Sequence, residues 1–385
     1  MDKCKDLFAK IEELEEKYIR IWERVCNLES PTENKAAVDA CVGYILSLGR
    51  ELGFSVKIQK EDISGNPAAI IMNECAERPP VVFSGHVDTV HSIGSFGFPP
   101  VHFEKEEIHG PGVTDCKGGI VAALLAMEAL SSCGFKARPV KLILQTDEET
   151  SSVGSNKRTV DFMAKEALGA VAFINCEGSE PGKITVERKG ILRYDFDIKG
   201  IVRHSAICQD GASAIREAAY KIIELEAFKD KDGITCNCGV IEGGTVANTV
   251  PERCRFTVDI RYKTPKERGM IEKRVLEIAE KSYVEGTKCR LVKISERACM
   301  QPTEATLSLF EKIRRISIEC GFGDLSPVSR TGGSDAADMT ERGIPALDSF
   351  GVTGGYIHSV KEYAFLSSLA HSAKRLAVIA MFIED

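Results

Sequence analysis

No stretch of this sequence approaches the roughly 20 consecutive apolar residues that a membrane helix requires, so no membrane-spanning role is expected. No basic tract dominates either. Lys and Arg number 50 against 57 Asp and Glu, a formal charge of −7, which argues against nucleic acid or an anionic membrane as the main partner. The N-terminal stretch from Met1 to Ser30 is charged and helix-patterned and lacks the uninterrupted apolar core of a secretion signal, so a cytoplasmic protein is expected. No C-x-x-C occurs, and the closest pair is Cys236-Asn237-Cys238. The fourteen cysteines are scattered, many within apolar patterns, so they read as free thiols rather than a disulfide framework or a cysteine-rich zinc site. Internal repeats and low-complexity tracts are absent as well.

What is present is an ordinary globular composition, 43% hydrophobic and 28% charged, in a chain of 385 residues that is long for one core. A helix is expected over roughly Lys3 to Leu28. A second follows the start signal Ser30-Pro31-Thr32, with Ala37, Val38, Cys41, Val42, Ile45 and Leu46 at helical spacing. Short β-rich runs then alternate with helices: Val81-Val82-Phe83, a strongly apolar helix over Gly118 to Leu130, a strand at Val140 to Leu144, a helix near Val160 to Leu168, and a strand at Ala170 to Asn175. Such alternation implies an α/β domain with a largely parallel mixed sheet flanked by helices. In such sheets, sites form beyond the carboxyl ends of the strands.

The pattern changes after Gly190. Ile191 to Lys199 alternates apolar and charged residues as a half-exposed strand, and a β-α-β-β-α-β order runs on to Ile294. After about Pro302 come a helix over Glu304 to Cys320, a strand at Pro345 to Phe350 and a last helix from Tyr363. The expected organisation is a catalytic domain of residues 1–190 and 302–385, with a ferredoxin-like α+β lid or dimerisation domain of residues 191–301 inserted into it.

Three strand ends carry the chemistry: Gly85-His86-Val87-Asp88-Thr89, Asp115-Cys116-Lys117-Gly118-Gly119 and Thr146-Asp147-Glu148-Glu149. Together they hold an imidazole and enough carboxylates to bind two divalent metals and leave one acid free to move protons. Asp88, two residues after His86, shares its face on a strand and can orient its ring. Asp115 lies in a glycine-rich turn where the backbone bends tightly, and its two oxygens can bridge two cations; an N-cap for the following helix is the plain alternative. Glu148 and Glu149, as neighbours at a strand end, are expected to point opposite ways, one to metal and one to substrate. Glu177 follows another apolar strand, and Glu180 competes with it. His358 sits in a glycine-rich loop; of the remaining histidines, His371 reads as a helix-face residue and His91, His102 and His109 as loop residues.

Assembled, these motifs resemble the co-catalytic zinc metallopeptidase and deacylase family, whose members include acetylornithine deacetylase, succinyl-diaminopimelate desuccinylase, peptidase T, carnosinase, aminoacylase and carboxypeptidase G. The resemblance covers nearly the whole chain. It implies two divalent metal ions, zinc first, with cobalt or manganese possible on donor type alone. It implies His86, Asp115, Glu149, Glu177 and His358 as ligands, with Asp115 bridging and preceded by a cis peptide. Glu148 is then the general base and Asp88 the residue orienting His86. In the inserted domain, Gly200 to Ala206 resembles the segment whose histidine, here His204, stabilises the oxyanion, often across a dimer. Asn248 resembles a substrate-contacting Asn, and Arg330 to Ala336, with Gly332 and Gly333, the loop that receives the substrate's carboxylate. Two departures stand out: Pro111 replaces the more usual Arg, and the loop after Arg330 is one Gly shorter than in some members. The implied function is hydrolysis of amide bonds in short peptides or N-acyl amino acids with a free carboxylate, by a homodimer joined through the inserted domain. A catalytically inactive binding relative of the same fold is the alternative.

Overall fold

The computed structural model describes residues 4–230 and 233–385. The chain divides into two compact units. The larger comprises Met1–Glu187, Pro302–Ser329 and Ser334–Asp385, and the smaller Arg188–Gln301 with Arg330–Gly333. The tetrapeptide Arg330–Gly333, expected in the catalytic domain, thus groups with the smaller unit. There the Arg188 guanidinium donates to the carbonyls of Gly332 and Gly333.

The larger unit is built on a six-stranded sheet. Its order is Ser55–Ile58, Ala68–Met72, Val140–Gln145, Val81–His86, Ala172–Asn175, Ala346–Leu347. The last four run parallel, and the first two join antiparallel at one edge. The central strands are buried along their length, as a sheet covered on both faces requires. The apolar helix Lys117–Ser132 packs on Lys5–Asn27 and Ser367–Phe382 and is buried on almost every face. Its start needs glycine. A Cβ on Gly119 would lie 2.0 Å from the carbonyl of Cys176, and one on Gly118 2.4 Å from that of Val113, so the helix seats directly against the ends of its neighbours. Lys117, also buried, donates to the carbonyls of Val25 and Leu28 at the C-terminal end of the first helix, where a cation is favoured.

The smaller unit has a four-stranded antiparallel sheet ordered Thr235–Gly243, Arg253–Tyr262, Gly190–Lys199, Lys288–Arg297. The helices Ala214–Glu226 and Pro265–Glu280 complete the ferredoxin-like order. Leu192, Tyr194, Phe196 and Ile198 are buried in its separate core. Asp195 and Asp197 on the same strand are buried too, through ion pairs with Arg255 and Arg253.

Most element ends shift by a few residues; the first helix, for instance, runs Lys5–Asn27, and Lys3 lies outside the described residues. Two differences are larger. The last helix begins at Ser367, because Tyr363–Phe365 pairs as a strand with Glu107–His109. His102 and His109 lie on paired strands rather than in loops. Among the described residues no helix is long and apolar enough to cross a membrane, and all fourteen cysteines are free.

Candidate active site

His86 ends the strand Val81–His86 and is 1% exposed. Its Nδ1 lies 2.9 Å from the backbone carbonyl of Asp88. The proton therefore belongs on Nδ1, which leaves the Nε2 lone pair facing Asp115 and Glu177. The Asp88 carboxylate stands farther from the ring, at 3.5 Å. It accepts instead from the Thr32 hydroxyl at 2.8 Å and from the amides of Glu148 and Glu149, both at 3.2 Å. Orientation of His86 thus comes first from the main chain, and the Asp88 side chain fixes the segment bearing the two glutamates.

That segment is not the strand end expected. The strand stops at Gln145, and Glu148–Thr150 forms a single 3-10 turn. Strand alternation therefore does not set the directions of Glu148 and Glu149; the turn does, with its amides pinned to Asp88. Glu148 is 8% exposed.

Asp115 is the centre of the arrangement. Its Oδ1 lies 3.0 Å from His86 Nε2, which is also 3.6 Å from Glu177 Oε1. Its Oδ2 lies 3.1 Å from His358 Nε2, which is also 3.2 Å from Glu149 Oε2. The cis peptide follows Asp115, at Asp115–Cys116, rather than preceding it. Glu180 stands apart, paired with Lys183 at 2.8 Å and 42% exposed, so Glu177 is the acid that joins the cluster.

Two donor groups therefore share one carboxylate. Tetrahedral coordination with bonds of about 2.0–2.2 Å sets neighbouring donor atoms about 3.3–3.6 Å apart. The observed spacings of 3.0 and 3.6 Å in one group, and 3.1 and 3.2 Å in the other, fit that edge. The electrostatics agree. Burial pushes the Glu177 carboxyl well above the usual carboxylate range, and the Asp115 charge adds to it. Burial lifts Glu149 to about 7 despite its bond to His358. Burial works against the charge on Asp115 too, but His358 and His86 outweigh it and hold its carboxyl below the usual range. Bonds to Asp115 and Glu149 carry His358 up to about 11. Acids this crowded require compensating positive charge, and divalent cations would supply it where protons otherwise must.

Sequence reasoning missed the groups that hold this cluster. Glu362 is 1% exposed, and its carboxylate accepts from the amides of Gly112, Thr114 and Asp115 at 3.2, 2.8 and 3.0 Å. His91, read as a loop residue, is 8% exposed with Nε2 3.3 Å from the same carboxylate. The one available signal was position, since Glu362 follows His358 by four residues. Cys116 Sγ accepts from the His86 amide at 3.0 Å; potential metal donors also draw together as His86, Cys116 and Glu177 and as His86, Asp115 and Glu149. Burial drives that thiol well above its ordinary pKa, so it stays protonated beside the backbone.

On the smaller unit, His204 caps a short 3-10 segment, its Nδ1 accepting from the Ala206 amide. The Ser205 amide donates to the Asn248 carbonyl at 2.9 Å, so His204 and Asn248 sit on adjoining, exposed segments. Arg330 is half-buried, with its carbonyl accepting from the Lys189 amide.

Residues 82–381 match the model of peptidase family M20/M25/M40. The chain belongs to that family. It is 26% identical over 377 residues to carboxypeptidase G2 of Pseudomonas sp. strain RS-16, covering 95% of this chain and 88% of that protein. It is 22% identical over 379 residues to succinyl-diaminopimelate desuccinylase of Delftia acidovorans, covering 91% and 94%. Among solved structures, a tripeptidase from Staphylococcus aureus superposes with a TM-score of 0.79 at 19% identity, covering 95% of this chain and 98% of that one. An M20 family metallo-carboxypeptidase from Sulfolobus solfataricus gives 0.76 at 16% identity, covering 94% and 98%. The M20 chain is thus a hydrolase of carbon–nitrogen bonds, of the metallopeptidase kind that acts on peptides or acylated amino acids.

Proposed function

We propose that this M20 protein hydrolyses the amide bond of short peptides or N-acyl amino acids bearing a free carboxylate, with two divalent cations, zinc first, at the cluster around Asp115. His86, Glu177 and Asp115 would hold one, and Asp115, Glu149 and His358 the other. Bound there, the cations supply Lewis acidity, acidifying water and polarising a carbonyl. Glu148 takes the proton from the attacking water oxygen and returns it to the leaving amine nitrogen. His204 donates to the developing oxyanion. Asn248 and Arg330, with the backbone of Gly332 and Gly333, hold the substrate's carboxylate, a planar bidentate task that suits a guanidinium. In this reading the smaller unit acts as lid and as the joint of a homodimer, through which His204 serves the partner's site.

One observation carries the reading: the two oxygens of Asp115 face two different histidine–glutamate pairs. The test pairs metal analysis with turnover on a panel of acetylated, succinylated and dipeptide substrates. Chelation should abolish activity, and zinc, cobalt or manganese should restore it. Glu148→Ala should lower kcat by about 10²–10⁴ with metal content unchanged. Loss of the metal along with activity would remove Glu148 from its role.

A further inference from the structure

Two arginines are buried in the larger unit on opposite terms. Arg138 donates to the carbonyls of Pro79 and Ile383 and pairs with Asp385 at 3.0 Å. Arg375, on the helix Ser367–Phe382, is 7% exposed, and its Nη2 has no hydrogen-bond partner. Burial pushes the guanidinium down only to about 10, so it is charged at neutral pH. No carboxylate among the described residues offsets that charge. The one acidic group acting on it is the Cys176 thiol, which burial keeps protonated. Phe350 covers one face of the guanidinium, its ring centroid 5.0 Å from Cζ. That contact eases the burial and leaves the Nη2 hydrogens without an acceptor.

Arg375 lines a small cavity of about 10 Å3, together with residues of the helix Glu304–Glu319 and the loop that follows it. That is room for one group the size of a water. The walls are otherwise apolar: Ile316, Phe322, Leu325, Phe350, Val378 and Ile379. The other polar side chain there, Ser317, donates its hydroxyl to the Gly323 carbonyl at 2.8 Å. A water needs two to four polar partners, and it would leave the charge uncancelled. An isolated buried charge costs far more than an unmade hydrogen bond. The group that suits this cavity is therefore small, negatively charged and an acceptor.

We propose that this cavity is a binding site for one small monovalent anion, of chloride's kind, held by the Arg375 guanidinium. The site is distinct from the Asp115 cluster and does not depend on the reaction proposed above. Its wall nevertheless adjoins the strand end that bears Glu177. The Phe350 amide donates to the Asn175 carbonyl at 3.2 Å, and the Gly351 amide to the Glu177 carbonyl at 2.9 Å. The Ser372 hydroxyl, on the same helix as Arg375, donates to the Gly351 carbonyl at 2.6 Å. The anion is thus a structural ion, neutralising a charge at the joint between the last helix and the end of the sheet.

Two measurements test it. In the first, thermal unfolding is followed as sodium chloride replaces sodium gluconate at constant ionic strength, gluconate being too large for the cavity. Chloride at ten times its Kd should raise the folded-to-unfolded ratio about elevenfold, read as a Tm rise of about 2 °C. Arg375→Met removes the charge and keeps an unbranched apolar stem, and it should lose the chloride response. Should that variant not fold, Val378→Leu, which adds a methylene at the cavity wall, should lose the response instead. The second measurement needs only the wild-type chain. A crystal soaked in sodium bromide should show an anomalous peak within about 3.5 Å of Arg375 Nη2. A wild-type Tm indifferent to chloride overturns the proposal, as does a chloride response that Arg375→Met or Val378→Leu retains in full. So does the absence of bromide at Nη2, whether the cavity then holds water or the peaks lie only on the protein surface.

Discussion

Two sets of carboxylates meet in the larger unit, and they are stabilised in opposite ways. Asp88 and Glu362 spend their oxygens on backbone amides and a hydroxyl of the same chain. Burial drives both Glu149 and Glu177 above the usual carboxylate range. A buried carboxylate must find donors or a counter-charge, because desolvation disfavours its ionised form. Asp88 and Glu362 find their donors in the fold. Glu149 and Glu177 stand instead against His358 and His86, with Asp115 between the two pairs. The contrast separates carboxylates satisfied by donors of their own chain from carboxylates that crowd one another beside two histidines.

Substitutions across the two sets should break or sharpen this contrast. The largest effect is expected for Asp115→Ala, which removes the carboxylate common to both donor groups. Bound metal should fall towards zero by elemental analysis, and turnover should become undetectable. Retention of two equivalents of zinc would show that Asp115 is not shared. An intermediate effect is expected for Glu362→Gln. The side chain keeps its size but offers one acceptor oxygen to three amides, so the Asp115 loop loosens. Metal affinity, by competition with a chromogenic chelator, should weaken by about 10–100-fold, as for other groups that orient ligands. Saturating metal should recover most of kcat; a loss that metal does not restore would place Glu362 in the chemistry itself. The smallest effect is expected for Glu180→Ala. It removes an exposed ion pair with Lys183, a contact worth about 0–1 kcal/mol, and should leave metal content and turnover at wild-type levels. A loss of metal there would return the ligand role from Glu177 to Glu180.

The alternation of strands and helices, the ferredoxin-like order after Gly190 and the strand-end position of His86 were legible in the sequence, because each depends on apolar periodicity over a few neighbouring residues. The glycines of Lys117-Gly118-Gly119 were legible as sites of close approach, and the carbonyls of Val113 and Cys176 show what approaches. Glu148 and Glu149 were legible as a pair, but their directions were not. Whether three residues continue a strand or close into a 3-10 turn is decided by Asp88, 60 residues away, which captures their amides. Glu362 was invisible for the same reason: its partner amide on Asp115 is 247 residues distant, and no local pattern marks a surface-type residue as buried.

By itself, then, the sequence determined the layers of this protein, the family resemblance and the donor residues that can bind cations, since periodicity and side-chain chemistry are local properties. The tertiary structure alone decided which atoms meet: that each oxygen of Asp115 turns to a different histidine, that Glu177 and not Glu180 joins them, and that a glutamate near the end of the chain braces the loop beneath. Those outcomes follow from burial and hydrogen-bond satisfaction between distant segments, which become defined only once the chain has closed on itself.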